Sequence, residues 1–245
     1  MARGFTLAPR ALALIFAGLL GCGSDLLLPD SPDGAVVLAK VGGDNQNGVV
    51  GERLQEPLVV QVKTGRGLAA IEREVEFVFT DDAGVVTPSR AITNSLGEAK
   101  ASWTLGSEPG PQTVMAQLVV ADTLDLQTAE FTAQAAPGAP DTLSPAPGSP
   151  TSQHGRRHQE IPPGTRPVIQ VVDRFGNPVP QVSVAWQVVS GEGQVSEAIT
   201  LTDNAGTATV RWTLGGRVGL QRLTAAVGPG PVTGSPVTFT ATVFF

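Results

Sequence analysis

One pattern is written twice in this chain, and it limits the folds open to it. Thr202-Asp203-Asn204-Ala205-Gly206 is a polar turn ending in glycine, and the residues from Thr207 to Leu214 then alternate. Ala208, Val210, Trp212 and Leu214 fall on one face, and Thr207, Thr209, Arg211 and Thr213 on the other. The other copy lies 109 residues earlier, with Thr93 and Gly97 in the turn and Ala99, Ala101, Trp103 and Leu105 on the apolar face. Period-two alternation predicts a strand with one buried side. A tryptophan on that side is a large piece of core.

The offset of 109 holds along the chain. It relates Val59-Val60-Gln61-Val62 to Val168-Ile169-Gln170-Val171, and Val75 and Phe77 to Val184 and Trp186. Near the ends, Phe131-Thr132-Ala133 matches Phe239-Thr240-Ala241 at an offset of 108. A repeat of this size is a tandem array of domains, not a solenoid of small units. The 245 residues accommodate two domains of ordinary size. Twenty prolines and 29 glycines punctuate runs of Val, Thr, Ala and Leu, a pattern of short strands joined by turns. The expected fold is all-β: two tandem immunoglobulin-like Greek-key β-sandwiches after a signal peptide, with about seven strands each. The expected boundaries are a signal peptide over 1–21, a tether over 22–33, and domains over 34–135 and 136–245. Residues 42–48 read as a loop. The prolines between Ser144 and Pro150 predict a short first strand in the second domain. With one cysteine and no tyrosine, neither an intrachain disulfide nor a tyrosine corner supports either sandwich.

The N-terminus reads as an address. Arg3 and Arg10 precede the apolar run 11–20, which has the layout of a secretory signal and is too short for a stable membrane span. It ends in Leu19-Leu20-Gly21-Cys22, which resembles the bacterial lipobox. That resemblance implies lipidation of Cys22, with diacylglycerol and an N-acyl group together giving stable anchoring. An ordinary signal peptide with an unrelated cysteine is the competing reading. Gly23 follows the cysteine. By resemblance to the sorted lipoproteins of two-membrane bacteria, a residue other than aspartate here implies export to the outer membrane, with the periplasmic or surface face left open.

Asp173-Arg174-Phe175-Gly176-Asn177-Pro178-Val179, followed by Thr202-Asp203, Gly206 and the Trp212 strand, resembles the bacterial immunoglobulin-like domain of group 1. This is the Big-1 repeat of the invasin and intimin adhesins. Gly176 and Pro178 suit a tight turn, since Gly accepts positive φ and Pro fixes φ. The resemblance covers nearly all of the second domain and, less sharply, the first, where Thr64-Gly65-Arg66-Gly67-Leu68-Ala69 stands at the motif's place. It implies a rod of domains on a bacterial surface. The structural residues it picks out are Gly97, Trp103, Gly176, Asn177, Pro178, Gly206 and Trp212.

No stretch assembles an active site. Gly65-Arg66-Gly67-Leu68-Ala69-Ala70 mimics a dinucleotide fingerprint, but its counterpart in the second domain carries Pro178 and Pro180, which no helix interior accepts. His154 and His158 read as a solvated loop without the further ligands a metal needs. Asp81, Asp82, Asp122, Asp125 and Asp203 lack EF-hand spacing and read as turn formers where glycine follows. No G-x-S-x-G occurs. Trp103, Trp186 and Trp212 read as core, and Phe244-Phe245 as the end of the last strand. The net charge of -6 argues against a nucleic-acid partner. The expectation is a non-enzymatic, lipid-anchored envelope protein without metal or cofactor. Its domains would act as a spacer, scaffold or adhesion module toward a protein or glycan partner. The alternative is a lipoprotein that binds polysaccharide or a small ligand, including as an accessory subunit of an envelope complex.

Overall fold

The computed structural model describes residues 36–79, 84–119, 127–228 and 230–245. The expected signal peptide, the lipobox-like residues Leu19, Leu20 and Gly21, Cys22 and the expected tether lie outside them, as do Asp81, Asp82, Asp122 and Asp125. The described residues form two hydrophobic cores, one from Leu38 to Ala135 and one from Leu143 to Val243.

Nine strands enclose the first core. In order they are β1 (Val36–Gly42), β2 (Gln46–Val49), β3 (Leu58–Thr64), β4 (Glu74–Phe79), β5 (Val85–Thr87), β6 (Arg90–Ile92), β7 (Glu98–Thr104), β8 (Gly110–Leu118) and β9 (Thr128–Ala136). One sheet has the order β1-β3-β7-β5 and the other β2-β9-β8-β4-β6. Consecutive strands cross repeatedly between the sheets, as in immunoglobulin-type sandwiches. Alternation explains the layering. Leu58, Val60 and Val62 of β3 and Ala99, Ala101 and Trp103 of β7 are buried, while Lys63 and Lys100 stay outside.

The second core repeats this plan with β10 (Thr142–Pro145), β11 (Ser152–Arg156), β12 (Val168–Val172), β13 (Ser183–Ser190), β14 (Gln194–Val195), β15 (Ile199–Leu201), β16 (Thr207–Thr209), β17 (Trp212–Thr213), β18 (Gly219–Val227) and β19 (Val237–Phe244). Its larger sheet is β11-β19-β18-β13-β15. The four-residue β10 answers the seven-residue β1, in line with the proline-rich sequence around it.

Two sequence expectations need correction. Among the described residues the strand count is nine and ten, not about seven. The stretch expected to be a loop over 42–48 contains the start of β2, whose residues Gln46, Asn47 and Gly48 carry little strand signal of their own. β2 exists because β9 offers it a parallel edge, with Gln46 opposite Ala133 and Val49 opposite Ala136. β11 pairs with β19 in the same way. The strand after Gly206, continuous as β7 in the first half, is divided into β16 and β17. It pairs first with β12 and then with β14, and leaves the ladder at Val210 and Arg211 as it changes partner.

Polar side chains inside each sandwich recur at the same offset. Thr93 Oγ1 donates to Ala70 O at 2.7 Å and accepts from Arg73 N at 2.9 Å. Thr202 Oγ1 donates to Val179 O at 2.7 Å and accepts from Val182 N at 2.8 Å. Gln112 Oε1 accepts from Gly106 N at 2.8 Å, and Gln221 Oε1 from Gly215 N at 2.9 Å. Each amide nitrogen donates to a carbonyl in the adjoining loop, Glu108 O or Arg217 O. These bonds satisfy backbone groups that would otherwise be buried without partners. We expect Thr202→Val to lower stability by about 2 kcal/mol, because its shape is kept while two buried backbone groups lose their partner. Urea unfolding followed by hydrogen exchange should place that loss in the second sandwich and leave amides of the first unchanged.

Candidate functional site

The turn after β12 joins the two sandwiches. Gly176, at φ +86°, closes it by donating from its N–H to Asp173 O at 3.0 Å, and Asp173 N donates to Asn177 O at 2.9 Å. A left-handed residue at this point favours glycine. Asp173 is only 2% exposed, and its carboxylate collects four donors. Oδ1 accepts from the backbone N–H groups of Phe175 and Asn177, each at 2.9 Å. Oδ2 accepts from Asn177 Nδ2 at 3.0 Å and from Gly138 N at 2.8 Å. Gly138 belongs to the segment between the two cores. A Cβ on it would lie 3.3 Å from Asp173 Oδ2, closer than ordinary packing.

The same turn reaches the first sandwich. Asn177 Nδ2 also donates to Ser107 O at 2.7 Å. The Arg174 guanidinium lies over the Phe175 ring, 4.6 Å from its centroid. Both side chains press on Gly51, at φ +69°: a Cβ there would lie 2.5 Å from Phe175 Cζ and 2.6 Å from Arg174 Nη2. Beside these contacts runs a groove of about 710 Å³, lined by Gly48, Pro109, Gly110 and Pro137 on one side and Pro178, Pro180 and Asn204 on the other. It presents prolines and backbone with no cluster of titratable groups, which suits packing rather than chemistry.

Burial acts to raise the Asp173 carboxyl. The Asn177 side chain and the amides of Gly138, Asn177 and Phe175 outweigh it and hold the group below its ordinary 3.8. Asp203, in the equivalent position of the next turn, is held low chiefly by the Thr207 amide and then by the Thr207 hydroxyl. Asn94 fills that place in the first sandwich and accepts from Leu96 N and Glu98 N.

The junction is built once although the turn is built twice. In the first sandwich Gly67 N donates to Thr64 O at 2.8 Å, and Thr64 N to Leu68 O at 2.9 Å. The dinucleotide-like glycines are therefore a β-turn. Thr64 stands where Asp173 stands, and its buried hydroxyl has no hydrogen-bond partner among the described residues. Leu68 replaces Asn177.

The other residues singled out from sequence fall in three groups. Gly97 and Gly206, at φ +73° and +69°, each pack on the neighbouring strand of the sheet, β3 or β12, where a Cβ would lie 2.5 Å from Val62 O or Val171 O. Trp103 and Trp212 are completely buried, and Trp186 donates from Nε1 to Thr200 Oγ1 at 2.8 Å. Asn177 and Pro178 lie at the junction just described. The expectation of a histidine loop is corrected in part. His154 lies in β11, stacked on Phe244 with ring centroids 5.9 Å apart, because β11 runs beside β19, while His158 is in the turn that follows. Among the described residues no three His, Cys, Asp or Glu side chains converge as metal ligands. Sequence reading placed Thr93 and Thr202 in the polar turns without a buried role, and it missed Gln112 and Gln221. The signal that could have found them is recurrence of a polar residue at the repeat offset.

No protein-family model matches the chain, and no curated protein sequence matches it. Among solved structures, the D0–D1 domains of intimin are similar over 84% of this chain and 96% of theirs, at 18% identity and a TM-score of 0.31. The Escherichia coli adhesin FdeC is similar over 86% of this chain, at 16% identity and a TM-score of 0.48, and this chain spans 64% of its length. Yersinia pseudotuberculosis InvD is similar over 85% of this chain and 57% of its own, at 17% identity and a TM-score of 0.45.

Asp173→Ala leaves the Gly138, Phe175 and Asn177 amides without this acceptor and the Asn177 side chain with Ser107 O alone. We expect a loss of about 2 kcal/mol from the second sandwich. Spin labels on the two sandwiches should also give a broader distance distribution, and an unchanged distribution would refute the clasp. Acid should act in the same direction. The folded carboxyl titrates below its ordinary value, so its contribution is complete well above pH 3.8 and is lost as pH falls through the lower, folded value. The distribution should broaden in that range in the wild type and show less change in Asp173→Ala.

Proposed function

We propose that this chain is a non-enzymatic protein of the bacterial cell envelope. Acyl chains on Cys22 hold it to the outer membrane, and its two immunoglobulin-like sandwiches serve as a spacer, scaffold or adhesion module. The observation that carries this reading is the junction. Asp173 grips the connecting segment and Asn177 bonds to the neighbouring sandwich, so the two units are joined by side chains as well as by covalent continuity. A part that must hold a distance needs such a joint. The absence of a grouped chemistry in the groove beside it suits contact rather than turnover. The lipobox-like Leu19-Leu20-Gly21-Cys22 and the apolar run before it supply the anchoring half of the reading. The partner is a protein or glycan met through exposed edges and loops.

The anchor is tested by Cys22→Ser in the full-length protein. Wild type should fractionate with membranes and incorporate labelled fatty acid, and the variant should do neither. Equal membrane retention and equal label in the two would exclude lipidation at Cys22.

A further inference from the structure

The two sandwiches present the same end differently. In the second, the turns over 173–181 and 202–206 face the first sandwich, through Asn177 and through Pro178, Pro180 and Asn204 at the groove. The same turns close the corresponding end of the first sandwich, over 64–72 and 93–97. There the repeat offset sets Leu68 at the place of Asn177, Ile71 at that of Pro180 and Leu96 at that of Ala205. These three are 66%, 53% and 59% exposed. The two turns touch at Gly97, where a Cβ would lie 3.2 Å from Ala70 N and 3.3 Å from Ala69 Cα. Exposed Lys63 and Arg73 flank the leucines and isoleucine, and Glu72 is an exposed carboxylate between them. At the junction end of the second sandwich these two cationic positions are Val172 and Val182, and the turn's one cation, Arg174, lies over Phe175. An exposed cationic pair at these two positions is therefore particular to the first.

The chain enters the first sandwich at this end, since Val36 pairs with Thr64. Cys22 lies 14 residues before Val36, at most about 50 Å of extended chain. Exposed apolar side chains fringed by cations are the chemistry of an interfacial membrane contact. The apolar groups enter the acyl boundary, and the cations meet anionic headgroups. A second copy of this chain is disfavoured, because a symmetric contact would oppose the same cations. We propose that the Leu68–Ile71–Leu96 tip seats in the headgroup region of an anionic phospholipid bilayer. The first sandwich then stands on the membrane to which Cys22 is attached, a placement that rests on the anchoring reading above.

The test uses the full-length lipidated protein carrying Leu68→Trp, with Phe245→Trp as the control. β9 ends at the junction, and its repeat equivalent β19 carries Phe245 to the opposite end from the tip. Trp103, Trp186 and Trp212 are buried, so the added indole is the exposed reporter. Vesicles of phosphatidylethanolamine and phosphatidylglycerol with brominated acyl chains supply the quencher. The expected result is flotation of both variants, with a blue shift and severalfold stronger quenching for Leu68→Trp. Changing Lys63 and Arg73 to Gln should reduce that quenching severalfold and leave flotation intact. Flotation with equal quenching at the two positions overturns the tip contact and leaves the anchor standing. Failure to float overturns the anchor, and this contact with it. A concentration-dependent blue shift without vesicles means a second copy covers the tip, which also overturns it.

Discussion

The Asp173 carboxylate sets the geometry of the joint between the two halves. It is buried and ionised, so it persists only because four N–H donors converge on it. One of those donors, Gly138, belongs to the connecting segment, and another, the Asn177 side chain, reaches on to Ser107. The conformation of the turn, the path of the linker and the approach of the first sandwich therefore share one hydrogen-bond network. Gly176 and Gly51 serve it from either side. The first permits the turn, and the second leaves room for Phe175 and Arg174.

Much of the fold was legible in the sequence because burial on one side of a strand leaves a period-two trace. Trp103, Trp212 and their alternating neighbours carry that trace in both copies. β2 left none. Gln46, Asn47 and Gly48 have weak strand preference, and their pairing is dictated by β9, nearly 90 residues away in sequence. The break between β16 and β17 is likewise a property of partners, since Val210 and Arg211 continue the alternation that the ladder does not. Thr202 and Gln221 are hidden for the opposite reason. They are polar, which suggests exposure, although Gln221 falls in phase with the buried Leu223 and Ala225; both are held inside by the backbone groups they satisfy.

The junction was half visible. Asp173 to Val179 stood out as a turn motif, and its difference from Thr64 to Ala70 was plain. Its partners were not, because Ser107 and Gly51 take part through a carbonyl and through a missing side chain. Neither contribution depends on chemistry that a residue's identity announces. The repeat helps only in comparison: a motif complete in one copy and degraded in the other marks the copy that has a neighbour to hold.

The parallel strands β2 and β11 have a mechanical consequence. β11 lies near the start of the second sandwich, and β19 is its last strand; they run side by side in the same direction, with Ser152 opposite Thr240 and Arg156 opposite Phe244. Tension between the two ends of the sandwich draws these neighbours in opposite senses along their length. Their hydrogen bonds are then loaded together, in shear, rather than opened one after another from an end. The first sandwich repeats the arrangement with β2 and β9. A chain fixed at one end and pulled at the other would meet that shear-loaded pair twice in series, and its lifetime under load would be set by the rate of forced unfolding rather than by equilibrium stability.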